Sequence, residues 1–436
     1  MTARPEDLGV DGPGDSATSG EGRDVVIDVI RVLSLGVVIA LHCVYVRLTL
    51  VEGSLVVQTA IGGPVIAALT WLLQVMPLFF LAAGFANTRM VDRCRRGGTS
   101  VSAAQALRLR RVLSPLTLLL LVMLGICLVV AWFDPAAALV IGAEAGSHLW
   151  FATAYLLCLA VAPVMVGLHD RYGVRVPAVL VGGSVLVDVL RFGDVIDADL
   201  ARFPGFALVW LACHQLGILY ARGVLRRWAT YQVLGVGALA VLALALIVRF
   251  GPYPPVTIGL ADAAESNLAP PTAALALLAV AQFTVVTLVG RAAEQWETPP
   301  RVTQVLRRLG PQMVLVYLWH VPVLGAVALL GLLAPDVLLP DDAATWWAQR
   351  PLWLVVAALV LWPVVRAASA WDAHLSQVKV RGDRGTLVVA SVLGVVGAAT
   401  VWRAGVTPTA VSLAACGAVG AALLLLVRSD RQHTAQ

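Results

Sequence analysis

Residues 25–46 read VVIDVIRVLSLGVVIALHCVYV, an apolar run broken only by Asp28, Arg31, Ser34 and His42. At about 1.5 Å of rise per residue a helix of this length crosses the roughly 30 Å hydrocarbon core of a bilayer. Runs of the same kind recur as far as Val427, with little polar sequence between them. Over 436 residues the chain is 59% hydrophobic and 13% charged, and its mean hydropathy is +0.86. A soluble chain carries about 25% charged residues, so a water-soluble enzyme is excluded. The fold class expected is an all-α, polytopic transmembrane helical bundle.

Bounded by charge, Pro or Gly, twelve spans are expected. The first six cover 25–46, 59–86, 112–132, 149–168, 177–190 and 204–220. The second six cover 230–248, 272–290, 311–333, 351–370, 386–402 and 408–427. The run at 177–190 is short for a crossing and reads as tilted, interrupted or re-entrant. Lys and Arg fall on alternate sides in a ratio near four to one, with only Arg47, Arg191, Arg202, Arg249, Arg350 and Arg403 on the minority side. The positive-inside rule then puts both termini in the cytoplasm.

Residues 1–23 are rich in Gly, Asp, Ser and Pro and too poor in apolar side chains to offset the entropy of ordering. They are expected to form a disordered cytoplasmic tail. Because this leader is acidic it does not resemble a secretory signal, and the first span is expected to be retained. Nearly all the basic residues are arginines spread between apolar runs, so the net charge of +5 does not point to nucleic acid. Cys43, Cys94, Cys127, Cys158, Cys213 and Cys416 show no C-x-x-C spacing. Neither disulfides nor a metal site is expected of them.

Ionisable groups inside a membrane are costly unless they face a cavity or a partner. In the first span, Arg31 and His42 are 11 residues apart: about 16 Å of rise and only about 20° past three whole turns, so they share one face. Asp28 lies three residues before Arg31 and can pair with it. Arg31 alone reads equally well as an anchor at the cytoplasmic end. His42, in the outer third, reads either as a base, since burial favours neutral imidazole, or as a hydrogen-bonded packing residue.

These residues, with five further segments, resemble the membrane acyltransferases of acyltransferase family 3. Arg31 and His42 match the Arg and His that its members carry in the first span with ten residues between them. MPLFFLAAGF resembles the family's P-x-F-F and Gly-Phe turn through Pro77, Phe79, Phe80, Gly84 and Phe85, with Ala83 where many members have Ser. Arg108 and Arg111 in RLRRVLSPL, on the inner loop, fit its paired arginines. HLWFATAYL (His148, Trp150, Tyr155) and YLWHVPV (Tyr317, His320, Pro322) resemble its fourth-span and late-span motifs. PGFALVWLACHQLG, with Trp210, His214 and Gln215, is similar to members from high-GC bacteria.

The resemblance covers residues 24–370, about ten spans. It leaves 371–427 as two additional transmembrane helices and 428–436 as a cytoplasmic tail. It implies transfer of an acyl group, often acetyl, from cytosolic acyl-CoA to a hydroxyl of a carbohydrate, cell-envelope or lipid-linked acceptor. The setting is the plasma membrane, and no cofactor is permanently bound. His42 with Arg31 is then the catalytic pair. Arg108 and Arg111 are suited to the CoA phosphates, since guanidinium binds phosphate through charge-assisted, often bidentate bonds. Positive-inside topology alone would also put arginines there.

His148, Trp150, His214 and His320 are the candidates to contact substrate or an oxyanion. For His214 and His320, satisfied packing is the competing reading. A route through acylated His42 is open beside direct attack. His169, His374 and His433 are expected to be solvated. Trp346, Trp347 and Trp353 are expected to form an interfacial anchor. Twelve spans with both ends inside would equally suit a secondary transporter. However, the first-span pair has no counterpart in the seventh span, as related halves would require. A third class, a scaffold without chemistry, would leave Arg31 and His42 replaceable.

Overall fold

The computed structural model describes residues 24–427, apart from residues 52, 53, 264, 297 and 341. The expected tails at 1–23 and 428–436, including His433, lie outside the described residues. α1 (Val25–Tyr45) starts where the Asp24 side chain accepts the amides of Val26 and Ile27, a helix N-cap. It runs directly into an antiparallel hairpin, β1 (Val46–Val51) and β2 (Ser54–Thr59), with Val46 opposite Thr59. The loop after the first span is therefore a two-stranded sheet, the one sheet among the described residues of an otherwise helical fold. Its residues, VRLTLV and SLVVQT, are dominated by β-branched and leucine side chains suited to paired strands.

The second expected span is two helices, α2 (Pro64–Leu72) and α3 (Met76–Gly97). Pro77 explains the break, because it has no amide to donate to Leu73 and its ring would strike that carbonyl. Gln74 fills the gap: its Oε1 accepts the Met76 amide at 3.3 Å, and its carbonyl accepts Gln282 Nε2 at 2.7 Å.

α4 (Val101–Phe133) follows after only three residues, capped by Ser100. The basic segment at 87–111 is thus not a loop. Arg108 and Arg111 stand on a helix that continues into the cytoplasm, three residues apart and on one face.

α5 (Pro135–Ser147) was not expected. Asp134 ends α4 and also caps α5, accepting the amides of Ala136 and Ala137 at 3.0 Å. α5 folds back on α4 and breaks at His148–Leu149 before α6 (Trp150–Tyr172). α7 (Arg175–Phe192) is one uninterrupted helix, so the short run at 177–190 is not interrupted.

The chain continues through α8 (Ala198–Ala221), α9 (Thr230–Phe250), α10 (Ala273–Ala293), α11 (Pro300–Leu309), α12 (Met313–Leu329), α13 (Pro335–Leu338), α14 (Ala343–Ser376), α15 (Arg384–Ala404) and α16 (Ala410–Leu426). Among the described residues, 10 helices are long and apolar enough to cross a membrane, with α2 and α3 taken together, and α16 is a shorter apolar helix. With α7, every one of the twelve expected spans corresponds to a helical segment. α14 runs unbroken through residues 370 and 371. α15 and α16 pack on α4, α5 and α6 and share one core with them through Leu387, Val401, Val419 and Leu426. Residues 371–427 are thus built into the bundle.

The tightest crossing joins α3 and α8. A Cβ on Gly84 would stand 1.9 Å from the His214 carbonyl oxygen, and one on Gly217 would stand 1.9 Å from that of Leu81. Without a hydrophobic force between helices in lipid, such small-residue contacts are what bring backbones together. This contact carries the side chains of α3 and α8 into one polar layer.

Candidate active site

Three of the expected histidines meet. His42, half-buried near the outer end of α1, donates Nδ1–H to the Val38 carbonyl at 2.8 Å. The neutral ring then carries its lone pair on Nε2, the geometry of a general base. His320 on α12 is 1% exposed. Its Nδ1 donates to the Tyr317 carbonyl, and its Nε2 is buried without a partner. The His42 and His320 rings lie edge to face with centroids 4.9 Å apart.

His148 occupies the break between α5 and α6, with its ring 6.0 Å from that of His320. Its Nε2 donates to the Leu318 carbonyl at 3.3 Å, and the Tyr317 hydroxyl donates to its carbonyl. Tyr317 thus ties all of this together, holding His320 through its own carbonyl and His148 through its hydroxyl. The histidine layer depends on helix breaks as much as on helices, because a continuous α5–α6 would turn His148 elsewhere.

Trp150 stands only two residues on but stacks on Trp210, with centroids 5.3 Å apart, on the far side of Phe151. His214 is not part of this cluster either. It is fully buried on α8, and its Nε2 accepts from Asn87 Nδ2 at 3.1 Å.

Below the histidines an apolar cavity runs between α1, α3, α4, α6 and α12. Ser34, Val38, Phe79, Val112, Tyr155 and Tyr317 line it, and its volume is about 30 Å³. That is room for one or two waters and not for a sugar ring. Its α1 lining, Ser34, Leu35 and Val38, falls between Arg31 and His42, neither of which lines it.

Toward the N-terminal end of α1, Arg31, Arg93 and Arg111 all act electrostatically on Arg108. Arg31 is 4.0 Å from Asp28. Arg108 donates from Nη1 to Asn87 Oδ1 at 2.8 Å. Arg31 therefore belongs with the paired arginines, about 16 Å of helix away from His42.

Other cytoplasmic arginines are structural. Arg222 bridges Asp92 at 2.6 Å and Asp170 at 2.9 Å, and Arg95 pairs with Asp170 at 2.7 Å. Arg110 donates to the carbonyls of Leu375 and Val378, closing the end of α14.

His374 is exposed as expected, but His169 is not. It is buried in the last turns of α6, with Nδ1 against Gln215 Oε1 at 3.1 Å, because α6 continues past the expected span end at 168. On the outer side Trp346 is buried as well, with the Arg350 guanidinium 4.3 Å above its ring, so it packs inside the anchor segment rather than facing lipid. Asn87 was not singled out from the sequence, and Tyr317 was named in the late-span motif without a role of its own. An Asn just past an apolar run and a Tyr inside one carry no signal of their partners, which come from α4, α8 and the α5–α6 break.

A family model for an acyltransferase domain matches residues 24–366. The chain belongs to acyltransferase family 3. No curated protein and no solved structure matches it. The match takes in every residue of the histidine layer, the cavity and the arginine cluster and stops inside α14. This family member is accordingly a multi-pass membrane acyltransferase. α15 and α16 lie beyond the matched residues but complete its core.

Proposed function

We propose that this acyltransferase, in the plasma membrane, moves an acyl group, acetyl in the simplest case, from cytosolic acyl-CoA to a hydroxyl of a carbohydrate, cell-envelope or lipid-linked acceptor. One observation carries the reading: α1 carries His42, its Nδ1 turned to the Val38 carbonyl, toward one end and Arg31, grouped with Arg108 and Arg111, toward the other, with a small apolar cavity beside the stretch between them. A polyphosphate donor suits the arginines and an alcohol the imidazole.

In the proposed step the acceptor hydroxyl gives its proton to His42 Nε2 while its oxygen bonds to the thioester carbonyl carbon, and the carbonyl electrons move onto oxygen. Collapse restores the C=O, breaks the C–S bond and releases CoA thiolate, which takes the proton back from His42. The products are the ester and the CoA thiol. His320, with its lone pair beside His42, accepts a hydrogen bond from a second hydroxyl or a water and so helps to seat the acceptor.

Arg31, Arg108 and Arg111 hold the donor phosphates. Arg31 lies too far from His42 to touch the same reacting atoms, so its part is to position the donor. The thin pantetheine arm follows the cavity, which widens to admit it, and the sugar approaches from the outer end.

The test is mass spectrometry of surface glycans and lipids from cells with and without the protein. The expected result is an acyl mass increment that disappears with the protein. Identical spectra, with uptake of a solute altered instead, would reject the proposal.

A further inference from the structure

Asn87 on α3 is 3% exposed, and its amide is fixed at both ends. A guanidinium only donates, so the oxygen must face Arg108, at 2.8 Å. The NH2 group must then face His214 Nε2, at 3.1 Å, and this imidazole must be neutral with its lone pair on that nitrogen. The His214 backbone carbonyl packs against Gly84 at the α3–α8 crossing, which sets where α8 presents this ring to Asn87.

The contrast with the neighbouring arginines is chemical. Arg222 and Arg95 are held by carboxylates of Asp92 and Asp170, and Arg226 by those of Asp24 and Glu294. Each of those contacts cancels charge. Arg108 is held by a neutral oxygen, and Arg111, Arg31 and Arg93 act on it as like charges. A half-buried guanidinium among like charges is an unfavourable arrangement that a multivalent anion relieves.

We infer that Asn87 is a positioning residue for the donor: it holds the Arg108 guanidinium in place without neutralising it, leaving its charge and remaining N–H donors for a phosphate of acyl-CoA. His214 locks the amide that does this. The inference rests on the reading of Arg108 as a donor-binding residue, and the experiment separates the two.

CoA affinity is measured by calorimetry on the purified full-length protein in detergent, for wild type, Asn87→Asp, Arg108→Gln and the double variant. Asn87→Asp is expected to weaken CoA binding about tenfold or more, the scale of a lost charge-assisted hydrogen bond. It should have little further effect once Arg108 is replaced. CoA binding unchanged in Arg108→Gln would overturn the donor-binding reading and the inference with it. CoA binding weakened in Arg108→Gln but unchanged in Asn87→Asp would overturn the inference alone. So would an Asn87→Asp effect of equal size in both backgrounds, which is what a merely structural role gives. Should Asn87→Asp fail to elute as a folded species, the same cycle is run with Asn87→Ala, which removes the tether without adding charge, and the same outcomes decide.

Discussion

His42 and His320 stand with ring centroids 4.9 Å apart and nearly perpendicular, although one lies in the first apolar run and the other in the ninth. Each donates Nδ1 to a backbone carbonyl of its own helix. Two imidazoles are thereby presented with lone pairs on Nε2, where they can accept protons or hydrogen bonds but not supply them. The pairing is what a site for hydroxyl substrates requires.

Replacing His42 by Ala removes the base while leaving a helix that needs no side chain there. Acylation of the acceptor should fall by about 10²–10⁴, the usual contribution of general base catalysis. The protein should remain inserted and monodisperse. Full acylation in cells carrying His42→Ala would end the assignment.

Tyr317→Phe keeps the ring but removes the hydroxyl that donates to the His148 carbonyl. Leaving a buried carbonyl unpaired costs about 1–3 kcal/mol. A lowered thermal midpoint together with reduced acylation is expected, since His148 is then free to move. Wild-type behaviour in both assays would show that this bond does not hold the layer.

Gly84→Ala introduces a Cβ 1.9 Å from a backbone oxygen, a clash that only helix displacement relieves. The loss should be about 1–3 kcal/mol or more, read as reduced yield and earlier thermal unfolding in detergent. Because α3 carries Asn87 and α8 carries His214, CoA binding should weaken as well. Gly125→Ala, on α4 with nothing within 4 Å of its Cβ position, is the control expected to be neutral.

Arg222→Ala strips both Asp92 and Asp170 of a partner, whereas Arg95→Ala affects Asp170 alone. The first should destabilise more than the second. CoA affinity should change in neither, because the two side chains are already committed to carboxylates. A large CoA defect in Arg222→Ala would move the donor site toward that network.

The span pattern was legible because a membrane demands it. Each crossing needs about 20 apolar residues, and backbone polarity forces those residues into helices, so all twelve runs corresponded to helical segments. What was misread lay at the ends and breaks. α3 and α4 extend into the cytoplasm because polar helical residues beyond the bilayer leave no mark in hydropathy. α5 was missed because half a span of apolar residues looks like the tail of its neighbour. His169 was taken as solvated for the same reason. Among the site residues, Arg31 and His42 stood out as ionisable groups in an apolar run and Arg108 and Arg111 through the family motif they fit, whereas Trp150, named with His148 in the fourth-span motif, turns to Trp210 instead.

Local chemistry in the sequence determined that this chain crosses the bilayer, which side is basic, and which polar side chains lie within the spans, because solvation acts residue by residue. Which of those side chains touch was decided only by the packed bundle. The Pro77 break, the Asp134 turn and the glycine contact between α3 and α8 set how each helix is placed, and the meetings of His42 with His320 and of Asn87 with Arg108 and His214 follow from distances across helices that no spacing along the chain encodes.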